Sequence, residues 1–80
     1  MRRVFVQDQD GEWVATTDHG SEVARSPNWA DVFADAHAYG RLGGLAEDPI
    51  EVHARQPDGS WRLEARYPEG PGLRSVSRRR

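Results

Sequence analysis

Hydrophobic and polar residues alternate along two stretches in the second half of the chain, residues 50–56 and 61–67. Between them lies Asp58-Gly59, a dipeptide that favours the type I′ turn of a two-residue hairpin loop. Pairing across such a loop sets the apolar residues of both strands on one face, as Ile50–Tyr67, Val52–Ala65, Ala54–Leu63 and Gln56–Trp61. The other face then carries the pairs Glu51–Arg66, His53–Glu64 and Arg55–Arg62. This period of two predicts a hairpin with one buried and one solvated face.

A second Asp-Gly dipeptide, Asp10-Gly11, predicts another hairpin near the N-terminus. The same pairing rule sets Val4–Thr17, Val6–Ala15 and Asp8–Trp13 on one face, and Phe5–Thr16 and Gln7–Val14 on the other. In both hairpins a Trp follows the turn glycine by two residues. Each D-G-x-W stretch is therefore interpreted as a turn followed by the start of the returning strand.

Between the hairpins, apolar residues recur at helical spacing and predict one amphipathic helix. They form a single stripe of Trp29, Val32, Phe33, Ala36, Tyr39 and Gly40. Ser26 suits the N-cap and Pro27 the first helical position. Gly43-Gly44 supplies the end of the helix.

These elements predict an α+β fold of the order β-β-α-β-β, with a four-stranded, mainly antiparallel sheet and one helix packed on one face. The pattern leaves the strand order and the edge strands open. The predicted core consists of Val4, Val6, Trp13, Ala15, Trp29, Val32, Phe33, Ala36, Ile50, Val52, Ala54, Leu63 and Ala65, with Trp61 and Tyr67 at its margin.

Four segments carry a resemblance to a known family: Asp10-Gly11-Glu12-Trp13, Ala24-Arg25-Ser26, the run from Phe33 to Arg41, and the run from Val52 to Gly59. Over roughly residues 2–68 the chain resembles the small bacterial and phage proteins catalogued as domain of unknown function 2188. The resemblance implies two hairpins around one helix and brings no established activity with it. The C-terminal PGLRSVSRRR departs from the pattern of that family.

Length and charge divide the chain unequally. Eighty residues predict a single domain, placed here at residues 1–68, followed by a flexible Pro/Gly- and Arg-rich tail at residues 69–80. Residues 1–70 hold seven Arg against thirteen acidic residues, a net charge of −6, whereas residues 71–80 hold four Arg and no acid. The chain has no cysteine and no apolar run long enough to span a membrane, so we expect a cytoplasmic protein.

No arrangement of residues predicts catalysis. Asp18, His19 and Ser21 are neighbours in one loop, where side chains rarely converge as a triad requires. Asp31 and Asp35 share a helix face from which His37 points away, so an exposed acidic face is favoured over a metal site. We therefore expect no enzyme activity, no metal, no cofactor and no small-molecule ligand.

Two surfaces are candidates for binding, and they support two hypotheses. The predicted open sheet face carries Phe5, His53, Arg55, Arg62 and Arg66, and the tail carries Arg74, Arg78, Arg79 and Arg80. The first hypothesis is a non-catalytic interaction module that binds a protein partner, or itself as a homodimer, through its sheet face or edges. The second is a nucleic-acid-associated protein, since arginines beside an exposed aromatic suit phosphates and bases.

Overall fold

The structure, a computed structural model, describes residues 1–69, so that all but the first residue of the predicted tail lies outside the described part. The chain forms five strands and one helix: β1 (Arg2–Gln9), β2 (Glu12–Thr17), β3 (Glu22–Ser26), α1 (Trp29–Gly43), β4 (Ile50–Arg55) and β5 (Trp61–Tyr67). The strands make one mixed sheet in the order β3-β2-β1-β4-β5. The central pair β1–β4 is parallel and the other pairs are antiparallel. The α+β class with one helix is thereby confirmed.

The first hairpin has the predicted register. Every predicted pair occurs, from Val4–Thr17 to Asp8–Trp13. Asp10 and Gly11 both have positive φ, 53° and 86°, as a type I′ turn requires. Alternation and turn chemistry agree in this hairpin, so the pattern was sufficient to place each side chain.

The prediction of four strands is wrong, because β3 adds a fifth beside β2. Its five residues, Glu22–Ser26, include only two apolar ones, and this pattern is too short to indicate a strand. A tight turn makes the pairing possible: Gly20 has a φ of 89°, and the hydroxyl of Thr17 accepts hydrogen bonds from the N–H groups of His19 and Ser21. The chain therefore passes through a third strand before the helix begins.

The helix begins later than predicted. Asn28, not Ser26, is the N-cap, and its side chain accepts a hydrogen bond from the Ala30 N–H at 3.0 Å. Ser26 is the last residue of β3, and its hydroxyl accepts from the Asn28 N–H. Ser26 thus stabilises the connection between strand and helix. At the other end the Gly44 N–H donates to the Gly40 carbonyl, close to the predicted stop.

The core lies between α1 and the sheet. Its buried cluster consists of Val4, Val6, Ala15, Val32, Ala36, Ile50, Val52 and Tyr67. Ala54 is also buried, and Trp13, Phe33 and Ala65 are partly buried against the cluster. Two predicted core residues are exposed instead: Trp29 at 50 % and Leu63 at 51 %. Both errors have one cause, the turn of the second hairpin described below.

Tyr67 fixes the base of the second hairpin against the helix. It is 7 % exposed, and its hydroxyl lies 2.7 Å from His37 Nδ1. Its ring packs on Gly40 so closely that a Cβ added there would lie 2.5 Å from Tyr67 Cδ2. Only glycine allows this approach, which explains Gly40 inside an otherwise helical segment.

Candidate binding surface

The turn of the second hairpin is built differently from that of the first. The Gly59 N–H donates to the Gln56 carbonyl at 2.9 Å, and the Gln56 N–H donates to the Ser60 carbonyl at 2.8 Å. Gly59 has a φ of 91°, whereas Asp58 does not have a positive φ. Pro57 and Asp58 therefore form the centre of a type I turn that Gly59 completes, which is the usual geometry of a three-residue loop.

Pro57 explains the extra loop residue. In a two-residue loop around Asp58-Gly59, the residue before Asp58 would donate its N–H to Ser60. Proline has no N–H, and its fixed φ suits the first central position of a type I turn. Asp58 also accepts hydrogen bonds from the Ser60 N–H at 2.9 Å and the Ser60 hydroxyl at 2.6 Å. The predicted type I′ turn at Asp58-Gly59 is therefore wrong.

The longer loop shifts the outer part of the hairpin by one residue. The pairs next to the loop are Arg55–Trp61, Ala54–Arg62 and His53–Leu63, whereas Val52–Ala65, Glu51–Arg66 and Ile50–Tyr67 are paired as predicted. Glu64 is the additional residue between the two parts, a β-bulge that restores the predicted register.

A one-residue shift turns side chains to the opposite face of the sheet. Trp61 and Leu63 consequently lie on the open face, the sheet face away from α1, where they are 40 % and 51 % exposed. Arg62 and Glu64 lie on the helix side in their place, with Arg62 Nε 3.8 Å from a Glu64 carboxylate oxygen. The predictions that Leu63 belongs to the core and that Arg62 faces Arg55 on the open face are therefore wrong.

On the open face these side chains gather into one cluster, the open-face patch, which consists of Phe5, His53, Arg55, Trp61 and Leu63. The Phe5 ring stacks on His53 with centroids 5.6 Å apart and meets the Trp61 ring edge to face at 5.2 Å. The Arg55 guanidinium lies 5.2 Å from the centroid of Trp61, within the range of a cation–π contact. The patch thus presents a tryptophan and a leucine to solvent, held in place by aromatic contacts.

A charged group borders the open-face patch. His53 Nε2 lies 3.0 Å from Glu51 Oε1, and Arg3 Nε lies 3.5 Å from the same oxygen. The hydrogen bond with His53 holds the pKa of Glu51 below its ordinary value; burial opposes this, and the positive charges of Arg3 and Arg66 reinforce it. Glu51 is therefore a carboxylate at neutral pH, and it orients the histidine that supports Phe5.

Of the predicted binding residues, Phe5, His53 and Arg55 come together in the open-face patch. Arg66 lies on the same face, opposite Glu51. Arg62 lies on the other face. The tail residues Arg74, Arg78, Arg79 and Arg80 lie outside the described residues.

Sequence reasoning missed Trp61 and Leu63, the two most exposed apolar members of the patch. It assigned both to the helix side because it counted the hairpin loop as two residues. The signal that corrects the count is Pro57, which precedes Asp58-Gly59 and has no equivalent before Asp10-Gly11, where Gln9 stands.

The helix side has the complementary feature, an unfilled groove near the start of α1. Its volume is about 360 Å³, and its walls include Trp13, Trp29, Phe33, Ala54, Arg62 and Glu64. The Trp29 and Phe33 rings lie 4.7 Å apart, and Trp29 stays half exposed. The groove exists because the large apolar residues of β5 that would cover it point to the other face.

The two histidines outside the patch lie in the loop after β2 and on α1. The His19 side chain is 86 % exposed in its loop, and His37 is engaged with Tyr67. Within residues 1–69, no group of three or more His, Asp or Glu side chains is arranged to hold a metal. No helix in this part of the chain is both long and apolar enough to cross a membrane.

Comparison with known proteins returned no match: no protein-family model, no curated protein and no solved structure is significantly similar to the chain. The resemblance to the family named above therefore stays a prediction. A functional assignment rests on the geometry of this molecule alone.

Proposed function

We propose that this chain is a non-catalytic interaction module that binds a protein partner through its open sheet face. The observation that carries the proposal is the exposure of Trp61 and Leu63 on one face of the sheet, next to Phe5. Apolar side chains that are exposed together and rimmed by polar residues are typical of protein–protein contact sites. Tryptophan and arginine are also the residues most enriched where binding energy concentrates, and here Arg55 lies over Trp61.

The sheet face is a better candidate than the sheet edges. The edges are β3 and β5, and the pairing of each with its neighbour is interrupted by a register shift. Such irregularities bend an edge strand and reduce its ability to pair with another chain. The open-face patch instead presents side chains, and β1 and β4, which carry Phe5, His53 and Arg55, pair without interruption.

Charge favours a different protein over a second copy. Arg55 lies beside Trp61 on the open face and forms no salt bridge within residues 1–69. Two copies packed symmetrically around Trp61 would bring their Arg55 side chains towards each other. A partner that offers apolar side chains flanked by carboxylates would complement both the patch and its rim. In the second form of this hypothesis the partner is another copy of the chain, and the expected observation is a dimer in solution.

Nucleic acid is the alternative ligand, and one observation favours it. An aromatic ring with a guanidinium over it, as Trp61 and Arg55 provide, suits base stacking and phosphate contact. Against it, two arginines of the open face, Arg3 and Arg25, are paired with Glu51, Glu12 and Glu22 of that face, and residues 1–69 have a net charge of −6. Leu63, half exposed in the patch, has no role in stacking.

The test is selection of binding peptides from a random displayed library, followed by affinity measurement with the wild-type chain and two variants. Trp61→Ala combined with Leu63→Ser removes the exposed part of the patch. Leu42→Ser is the matched control, because Leu42 is 89 % exposed on α1, away from the open face. We expect selected peptides with an apolar anchor and acidic flanks, binding at least roughly tenfold more weakly to the double variant and unchanged to the control.

Two further measurements separate the alternatives. Light scattering at increasing concentration detects a dimer, and a dimer that the double variant abolishes assigns the patch to self-association. Titration of single-stranded oligonucleotides at low and high salt detects nucleic-acid binding, which weakens steeply with salt. Oligonucleotide binding without peptide binding would overturn the proposal, as would peptides that bind wild type and double variant equally.

A further inference from the structure

In the second hairpin, the hydrophobic alternation and the turn sequence favour opposite faces of the sheet for the same side chains. The alternation from Ile50 to Tyr67 directs Trp61 and Leu63 to the helix side, whereas the turn at Pro57 directs them to the open face. The helix side has an unfilled aromatic groove at the place that the alternation assigns to them. Trp61 and Leu63 would point into this groove if their strand were shifted by one residue.

From this match we infer that the outer part of the second hairpin has a second register, in which Trp61 and Leu63 turn to the helix side and fill the groove. In that register Leu63 lies opposite Ala54 and Trp61 opposite Gln56, around a two-residue loop at Asp58-Gly59. The bulge at Glu64 disappears, because the loop then has the length that the base of the hairpin requires.

The change is confined to about residues 53–64, which makes it accessible without unfolding. The pairs Val52–Ala65, Glu51–Arg66 and Ile50–Tyr67 are the same in both registers. Tyr67 holds this base against α1 through its contact with Gly40 and its hydrogen bond to His37. The helix and the first hairpin need not move.

Opposed physical terms keep the two registers close in free energy. The second register removes a tryptophan and a leucine from water and covers Trp29, all three of them at least 40 % exposed in the structure. In the first register Pro57 does not occupy a pairing position that needs an N–H, and Asp58 does not need a positive φ. It also retains the hydrogen bonds of Asp58 to Ser60.

This equilibrium regulates the binding proposed above, and that consequence rests on the proposed function. Only the first register displays the open-face patch, so a partner docked there selects it. In the second register Trp61 and Leu63 leave the open face, and Glu64 lies there opposite His53. The chain therefore has a binding form and a form whose apolar surface is covered by its own helix.

The absence of native cysteine allows a disulfide-trapping test of the two registers. The pair His53→Cys and Leu63→Cys is opposed only in the first register, and Ala54→Cys and Leu63→Cys only in the second, since a one-residue slip places side chains on opposite faces. Glu51→Cys and Arg66→Cys is opposed in both and serves as the control. We expect all three pairs to cross-link in the folded chain, the second-register pair most slowly.

The turn supplies the decisive comparison. Pro57→Thr with Asp58→Asn restores the N–H and creates Asn-Gly, the strongest two-residue loop. These changes should make the second-register pair cross-link roughly tenfold faster, as one regained hydrogen bond predicts, and leave the control pair unchanged. In chains without engineered cysteines, ¹⁹F spectra of fluorotryptophan-labelled protein should show the Trp61 and Trp29 signals shift with the turn change while Trp13 moves less.

Two results would overturn the second register: no cross-link of the Ala54 and Leu63 positions in either turn background while the control pair cross-links, or ¹⁹F signals of Trp61 that the turn change does not move. Neither result affects the peptide-binding test, which addresses the open-face patch in the first register. Conversely, if the second-register pair cross-links but no peptide binds, this inference holds and the proposed function is wrong.

Discussion

The two Asp-Gly hairpins of the sheet start from the same local sequence and finish with opposite geometry. In both, Asp-Gly is followed by one residue and then by Trp. After Asp10-Gly11, Trp13 pairs with Asp8 and packs on the helix side. After Asp58-Gly59, Trp61 pairs with Arg55 and lies on the open face. The residue before the dipeptide makes the difference, since Gln9 can close a two-residue loop and Pro57 cannot.

In these hairpins, loop length has more influence on side-chain placement than the alternation that follows it. One added loop residue inverts the faces of every residue up to the next irregularity, which here is the bulge at Glu64. In the first hairpin, the Trp that follows the turn packs against the core. In the second hairpin, Tyr67 at the base packs in the core, whereas Trp61 and Leu63 near the loop lie on the surface.

The largest effect is expected where the base of the second hairpin is fixed. Gly40→Ala forces a Cβ to within 2.5 Å of the Tyr67 ring, so we expect a loss of about 3 kcal/mol in the free energy of unfolding. Urea denaturation monitored by circular dichroism measures it. In Gly43→Ala, the control, the new Cβ meets the Ile50 Cδ1 methyl at 3.2 Å and the flexible Arg2 side chain at 3.9 Å, and we expect a change below about 1 kcal/mol. Equal losses in both variants would contradict the Tyr67–Gly40 contact.

Val52 and Leu63 provide the next test, because the alternation alone assigns them to one buried face. In the structure Val52 is fully buried, whereas Leu63 is half exposed. Val52→Ala should lower the free energy of unfolding by about 2 kcal/mol and Leu63→Ala by less than about 1 kcal/mol. The reverse order would show that the bulge-free register dominates in solution.

Most of the fold followed from the sequence wherever pattern and turn chemistry agreed. The register of β1–β2, the helix over its central turns and the base of β4–β5 were all predicted. Strand β3 was missed because Val23 and Ala24 are too few apolar residues to indicate a strand, and its pairing depends on the tertiary contact with β2. The parallel pairing of β1 with β4 joins residues far apart in sequence, which no local pattern determines.

The candidate site was predicted only in part. Phe5, His53 and Arg55 were placed correctly on the open face because their strands keep the predicted alternation up to Arg55. Trp61, Leu63 and Arg62 were placed on the wrong faces because Asp58-Gly59 alone predicts a two-residue loop, which Pro57 prevents. A proline before an Asp-Gly dipeptide is therefore a signal to count three loop residues.

A proline placed before the first Asp-Gly dipeptide tests whether the closing residue sets the loop length, and we expect a moderate effect. Gln9→Pro removes the N–H that closes the first loop opposite Glu12, and we expect a loss of about 1.5 kcal/mol in the free energy of unfolding. Part of the population should shift register, which turns Trp13 towards solvent and increases its quenching by acrylamide. Gln9→Ala keeps the N–H and is the control, with a change within about 0.5 kcal/mol. A proline variant as stable as the alanine variant would show that the closing residue does not set the loop.

The smallest effect concerns Glu51, whose pKa lies below the ordinary value of 4.5 chiefly because His53 donates a hydrogen bond to it. A carboxylate with a lowered pKa stabilises the fold above pH 4.5, and this contribution disappears as the pH falls through the pKa of the folded state. Glu51→Gln should therefore be less stable than wild type by under about 1 kcal/mol at pH 7, and the difference should narrow steadily below pH 4.5. Thermal denaturation between pH 3 and 7 measures it, with Glu47→Gln as an exposed control. A difference that stays constant over this range would mean that Glu51 acts through packing, and that its charge does not hold His53 in place within the open-face patch.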